Sequence, residues 1–203
     1  MKMNLPNKLS VLRLCMVPVF VVVMMVSDAL WANLLGALLF GAAALTDMLD
    51  GKIARKYGLV TDFGKFLDPL ADKFMVIGAF LVILYKSMSD FPRNELFCAL
   101  FFWAVALVIF RELAVTSIRL VVSGSSGIVV AANMLGKIKT CTQIACVLVC
   151  LLERVLYQYV EMPAFFEEWL PLSLITTAVM LFFTLWSGIN YLASYWKYMD
   201  PQK

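Results

Sequence analysis

The sequence contains no histidine, and only 15% of its 203 residues are charged. The first absence removes imidazole as base, nucleophile or metal ligand, so such work falls to carboxylates, lysines or thiols. The second excludes an ordinary soluble domain, in which about a quarter of residues are charged. In their place the chain is 63% hydrophobic, with a mean hydropathy of +0.87. Its apolar runs are long enough to cross a hydrocarbon core about 30 Å thick, which takes about 20 helical residues. The expected fold is all-α: a polytopic membrane bundle in which residues 1–203 form a single domain. No nucleic-acid partner is expected. The five cysteines sit in apolar surroundings. Cys146 and Cys150, four apart, share a helical face, but with no histidine to complete a soft-metal site they read as packing residues without a disulfide.

Six apolar segments are legible, at about 9–26, 32–53, 66–85, 96–122, 129–152 and 169–195. The prelude 4–10 reads as a short amphipathic lead-in on the membrane surface. Lys2, Lys8 and Arg13 precede the first run in the manner of a signal peptide, but no small-residue cleavage site follows before Trp31. That run therefore reads as a retained span. Separators carry turn residues, among them Gly58, Pro92, the Gly/Ser stretch 123–127 and Pro163. Six spans put both termini on one side, and that side collects fourteen of the seventeen lysines and arginines. Only Lys86, Arg93 and Arg154 fall opposite, among seven acids. The bias puts both termini in the cytoplasm and the chain in the cell inner membrane.

The most informative stretch lies between the second and third segments. Asp47 and Asp50 are three apart, Asp68 and Asp72 four apart, and each spacing puts its pair on one helical face. A short connection makes the two helices antiparallel neighbours, so the pairs can face each other. Carboxylates at a membrane boundary are costly unless they have a job. Two divalent cations would offset the four charges. An all-oxygen ligand set selects hard ions, Mg²⁺ first and then Mn²⁺ or Ca²⁺, in an arrangement that suits a two-metal phosphoryl-transfer site. Gly51 and Gly64 remove side chains where a ligand or neighbouring helix must approach. Pro69 predicts a kink in the third helix, or its beginning. The competing readings are a solvated network of acids and lysines at the helix ends, and a cation path through a transporter.

The pattern Asp47-x2-Asp50-Gly51-x2-Ala54-Arg55-x8-Gly64-x3-Asp68-x3-Asp72 resembles the signature of the CDP-alcohol phosphotransferase family, with every fixed position kept. The resemblance implies that Asp47, Asp50, Asp68 and Asp72 hold two Mg²⁺ ions, with Mn²⁺ as a possible substitute. Asp72 would also serve as general base toward the acceptor hydroxyl. Gly51, Ala54, Arg55, Thr61 and Gly64 would surround the CDP moiety of the donor. It further implies a six-helix fold, often a homodimer, with its site open to the cytoplasmic leaflet.

The acceptor is addressed by cations further along. Arg111 and Arg119 are eight apart and so on one face of the fourth segment. Lys137 and Lys139 open the fifth. Together they favour an anionic group such as a phosphate, the alternative being interfacial anchoring by snorkelling side chains. Glu112 is expected to point away from Arg111 and leave it uncancelled. Arg13 and Asn7 are candidates to close the site from the lead-in, or to serve as caps. Residues 4–13, Phe110-Arg111-Glu112 and Gly136-Lys137-x-Lys139-Thr140-x2-Gln143 resemble the branch of the family whose acceptor is glycerol 3-phosphate. That resemblance implies CDP-diacylglycerol as donor, with phosphatidylglycerol phosphate and CMP as products. Arg111, Arg119, Lys137 and Lys139 would hold the acceptor phosphate. A branch acting on another phosphorylated alcohol, such as an inositol phosphate, is the nearest alternative.

Overall fold

A computed structural model describes residues 3–59, 61–89, 94–126, 134–160 and 163–196, without the side chains at 55, 62, 65, 123–126, 158 and 164. Among these residues there is no strand. The helices are α1 (Leu5–Val26), α2 (Leu30–Lys56), α3 (Asp62–Ser89), α4 (Glu95–Ser126), α5 (Met134–Tyr159), α6 (Ala164–Trp169) and α7 (Pro171–Tyr195). α1 packs on α2 and α3, α5 on α2 and α7, and α4 on α3 and α7.

Among the described residues five spans are long and apolar enough to cross a membrane: Leu5–Val26, Leu30–Ala54, Glu95–Val122, Met134–Tyr157 and Phe165–Tyr195. The chain is a multi-pass membrane protein by this measure. α3 is not among the five, because five ionisable residues crowd its first turns and Lys86 lies near its end. The core joins the helices through aromatic contacts, with Phe20 and Phe40 centred 6.1 Å apart and Phe80 edge-on to Phe101 at 5.8 Å.

Four local expectations are corrected. The lead-in is not a separate element but the first turns of α1. Asn4 caps that helix by accepting from the Asn7 N–H at 3.1 Å, and Pro6 sits where its missing N–H costs nothing. Of the two expectations for Pro69, the helix start is corrected: α3 starts at Asp62 and runs on through Pro69. α4 continues over 123–126, where the Gly/Ser composition suggests a turn; Gly127 lies outside the described residues. The last segment is broken at Leu170, a buried residue at φ 44°, which separates α6 from α7. Glu153 makes this break tolerable. Its buried carboxylate accepts from the amides of Leu172 (3.0 Å) and Ser173 (2.7 Å), two orphan donors at the start of α7, where negative charge also complements the helix dipole.

Candidate active site

The two aspartate pairs sit at one end of the bundle because of how α2 stops. Gly58, at φ 63°, takes the left-handed conformation after the last turn, and the Leu59 N–H returns to the Ala54 carbonyl at 3.0 Å. Thr61 then starts α3: its Oγ1 accepts the Gly64 N–H at 3.0 Å. The tight reversal sets Asp47 and Asp50 on α2 near Asp68 and Asp72 on α3.

What joins them is α1. Arg13 is fully buried, and its Nη1 donates to Asp47 at 2.6 Å and to Asp72 at 2.7 Å. Its Nη2 pairs with Asp50. Ser10, one turn earlier on the same face, donates to Asp68 Oδ1 at 2.5 Å. Residues from one helix thus touch all four carboxylates. The remaining ties from α1 go to the α2–α3 connection: Asn4 Nδ2 to the Leu59 carbonyl at 2.8 Å, and Asn7 Nδ2 to Thr61 Oγ1 at 3.0 Å.

One guanidinium does not balance four carboxylates. Two like charges 4 Å apart repel by about 4 kcal/mol at an effective dielectric near 20, so the quartet calls for further cations. Among the described residues no three acids close round one point as a finished ligand set; Arg13 stands between them. The donor set nevertheless fits hard divalent ions by its chemistry, since every ligand is a carboxylate oxygen and α2 and α3 already share one cation.

Of the residues tied to the CDP moiety, Gly51 and Ala54 lie one turn beyond Asp47 and Asp50 respectively, on the same faces. The Arg55 side chain lies outside the described residues. Thr61 has a cap to make, and a Cβ on Gly64 would stand 2.8 Å from Asn7 Oδ1. The close approach at Gly64 is therefore to a neighbouring helix.

A family model, CDP-alcohol phosphatidyltransferase, matches residues 3–189. The chain belongs to this family. It is 41% identical over 206 residues to the CDP-diacylglycerol–glycerol-3-phosphate 3-phosphatidyltransferase of Bacillus subtilis, covering 96% of both chains. A Rickettsia bellii protein of the same name is 43% identical over 57% of this chain and 58% of its own. The Arabidopsis thaliana protein numbered 2 under that name is 32% identical over 96% of this chain and 80% of its own.

The cations named for a family acceptor separate into three environments. Arg111 donates to Ser187 Oγ on α7 and, contrary to the sequence expectation, to Glu112 Oε1, both at 3.0 Å. The long flexible side chains fold back toward each other although their Cα positions diverge by 100° around the helix. Lys139 on α5 pairs with the same Glu112 oxygen. Arg119 does share the Arg111 face: both meet α7, Arg119 through the Tyr191 hydroxyl at 3.4 Å and the ring face at 5.9 Å. Lys137, two residues from Lys139, falls on another side of α5 and is exposed. So Arg111 and Lys139 are brought together, Arg119 on α4 meets α7 separately through Tyr191, and Lys137 is not in the group. Lys73, the residue after Asp72, lies close enough for its charge to act on both Glu112 and Lys139. Among the described residues Arg111 Nε is buried with no hydrogen-bond partner, as are Gln143 Nε2, one turn beyond Lys139 on α5, and Thr184 Oγ1, one turn before Ser187 on α7.

Ser10, Ser187 and Tyr191 are contacts that sequence reasoning missed, and Glu112 is one that it misdirected. The first had a usable signal, because Ser10 and Arg13 are three apart and so face the same way.

Proposed function

We propose that this chain transfers the phosphatidyl group of CDP-diacylglycerol to sn-glycerol 3-phosphate, giving phosphatidylglycerol phosphate and CMP. The observation that carries the reading is the pairing of two sites: four family-signature aspartates drawn together by α1, beside a mostly buried Arg111–Glu112–Lys139 cluster. The near full-length likeness to the Bacillus subtilis protein supports the same assignment.

In this reading a glycerol hydroxyl oxygen attacks the phosphatidyl phosphorus, the bond to the CMP phosphate oxygen breaks, and CMP leaves with that electron pair. Asp72 takes the hydroxyl proton. Asp47, Asp50, Asp68 and Asp72 would hold two Mg²⁺ ions, or Mn²⁺ in their stead, which supply Lewis-acid polarisation of phosphate oxygens and charge neutralisation on the departing CMP. Gly51, Ala54, Arg55, Thr61 and Gly64 would border the CDP moiety. Arg111, Lys139 and Arg119 would grip the acceptor phosphate, which is the positioning part of catalysis; Lys137 would meet it only at the rim.

The same reading makes α3 a sixth span, since 28 residues at 1.5 Å rise are long enough, with its charged first turns in the headgroup layer. The lysine and arginine bias supports cytoplasmic termini and an inner-membrane location; a homodimer rests on the family resemblance. The deciding experiment gives purified protein CDP-diacylglycerol and a panel of acceptors, reading CMP release and lipid products by mass spectrometry. Glycerol 3-phosphate should be consumed first. Preference for an inositol phosphate would move the chain to another branch, and no CMP with any acceptor would reject the assignment.

A further inference from the structure

The quartet already contains a cation of its own. Arg13 Nη1 bridges Asp47 of α2 and Asp72 of α3, and Nη2 takes Asp50. These are oxygens that a divalent ion shared between the two helices would need. The lone pairs a guanidinium occupies are closed to a metal approaching along the same direction, and its positive charge opposes that approach. An arginine cannot relieve the conflict by losing its proton, because it stays charged throughout the accessible pH range. It can relieve it only by moving. Its Nε is also buried and has no hydrogen-bond partner among the described residues, so the Nη contacts to the aspartates are what hold the guanidinium. The other ties from α1 to this end are neutral contacts, from Asn4, Asn7 and Ser10. Among the described residues Arg13 makes the charged contacts.

We propose that Arg13 is a built-in competitor for the metal ions: it clamps α1 onto the aspartates, and divalent cations must displace it to load. This rests on the two-metal reading of the site and adds a coupling to it. Metal uptake and release of the first turns of α1 become two sides of one equilibrium, and by linkage each opposes the other's reverse. Arg13 is thus a positioning residue for the reaction, setting how much metal the site needs before the α2 and α3 carboxylates are free.

The test uses the full-length protein in lipid nanodiscs, without substrates, and Mn²⁺ as probe, its binding followed by loss of the free-ion paramagnetic resonance signal. Arg13→Gln should bind Mn²⁺ at least about ten-fold more tightly than wild type, and Arg13→Lys, which keeps the charge, should stay within about three-fold of wild type. Because Arg13→Gln can fail to fold, the wild type is also tested alone. Phenylglyoxal modification of Arg13, read on its peptide by mass spectrometry with the Arg119 peptide as internal reference, should be several-fold faster in saturating Mn²⁺ than in EDTA. Equal or weaker Mn²⁺ binding by Arg13→Gln, or unchanged modification of Arg13 in the wild type, overturns the proposal and leaves the two-metal reading standing. No Mn²⁺ uptake by either protein removes the two-metal reading, and this inference with it.

Discussion

Asp47, Asp50, Asp68 and Asp72 are chemically alike, yet their surroundings differ. Asp50 is almost fully buried, whereas the side chains of Asp47 and Asp72 are 32% and 42% exposed. The exposed pair can be approached from outside the bundle, which suits the base role proposed for Asp72. Replacing Asp47, Asp50 or Asp68 by Asn keeps a hydrogen-bond acceptor for Arg13 or Ser10 but removes a charge. Each variant should insert and fold while losing at least about a thousand-fold in kcat, the effect of removing a major electrostatic stabiliser of the transition state. Chelation should silence the wild type and Mg²⁺ restore it; full turnover after exhaustive EDTA treatment would end the metal reading. Lys139 and Lys137 offer a sharper contrast, being two positions apart with opposite burial. A charge-assisted contact is worth roughly 1.5–3 kcal/mol, so Lys139→Ala or Arg111→Ala should lower kcat/KM for glycerol 3-phosphate by about ten- to more than a hundred-fold. Lys137→Ala should change it by less than about three-fold. If the three variants behave alike, the cations anchor the fold and do not read the acceptor.

At the scale of elements, the informative one is the start of α1. It supplies the cap of its own helix, the ties to the α2–α3 connection and the residues that touch the aspartates. Gly64 is small because Asn7 passes over it. Gly64→Ala should therefore lower thermal stability by the equivalent of about 1–3 kcal/mol, the usual penalty of overpacking. Adding Asn7→Ala should recover part of that loss, although Asn7→Ala alone is destabilising through the lost bond to Thr61. A cycle of the two substitutions measures the coupling; strictly additive effects would show that the contact carries no energy. α7 is set in the same manner from outside itself. Glu153 of α5 supplies the cap that Leu170 and Pro171 cannot, so the break between α6 and α7 depends on a residue more than fifteen positions upstream.

For the whole molecule, charge distribution is the main guide. The described cations at the aspartate end are Lys8, Arg13, Lys52, Lys56, Lys73, Arg111, Arg119, Lys137 and Lys139, while Lys86 and Arg154 lie where α3 ends and α5 approaches its end. Lys86 is buried there against the Ser27 carbonyl and Asn33, and Arg154 donates to Ser87. With native cysteines replaced, a cysteine at Gly58 should react with membrane-impermeant thiol reagents only from the cytoplasmic side, and one at Met88 only from outside. Both are exposed positions at opposite ends of the bundle. The pair also tests the sixth span, because they flank α3: labelling of both from the same side would mean that α3 does not cross.

Composition and spacing alone determined the all-helical membrane class, the segments that became long helices and the aspartate signature. Each of these depends on local quantities: side-chain hydrophobicity against a fixed membrane thickness, and a helical period that puts residues three or four apart on one face. They also placed Arg111 and Arg119 on a common face, as α7 receives them. What the tertiary structure decided is which distant side chain each charge meets. Whether Glu112 turns toward Arg111 is not set by helix period, since long side chains sweep a wide arc and Lys139 of α5 draws the carboxylate in. The αL break at Leu170 is matched by Glu153, which accepts the amides left open at the start of α7. In the sequence Arg13 is a candidate to close the site or an interfacial residue, with nothing to choose between them; burial against three carboxylates from two other helices makes it the counter-charge of the site.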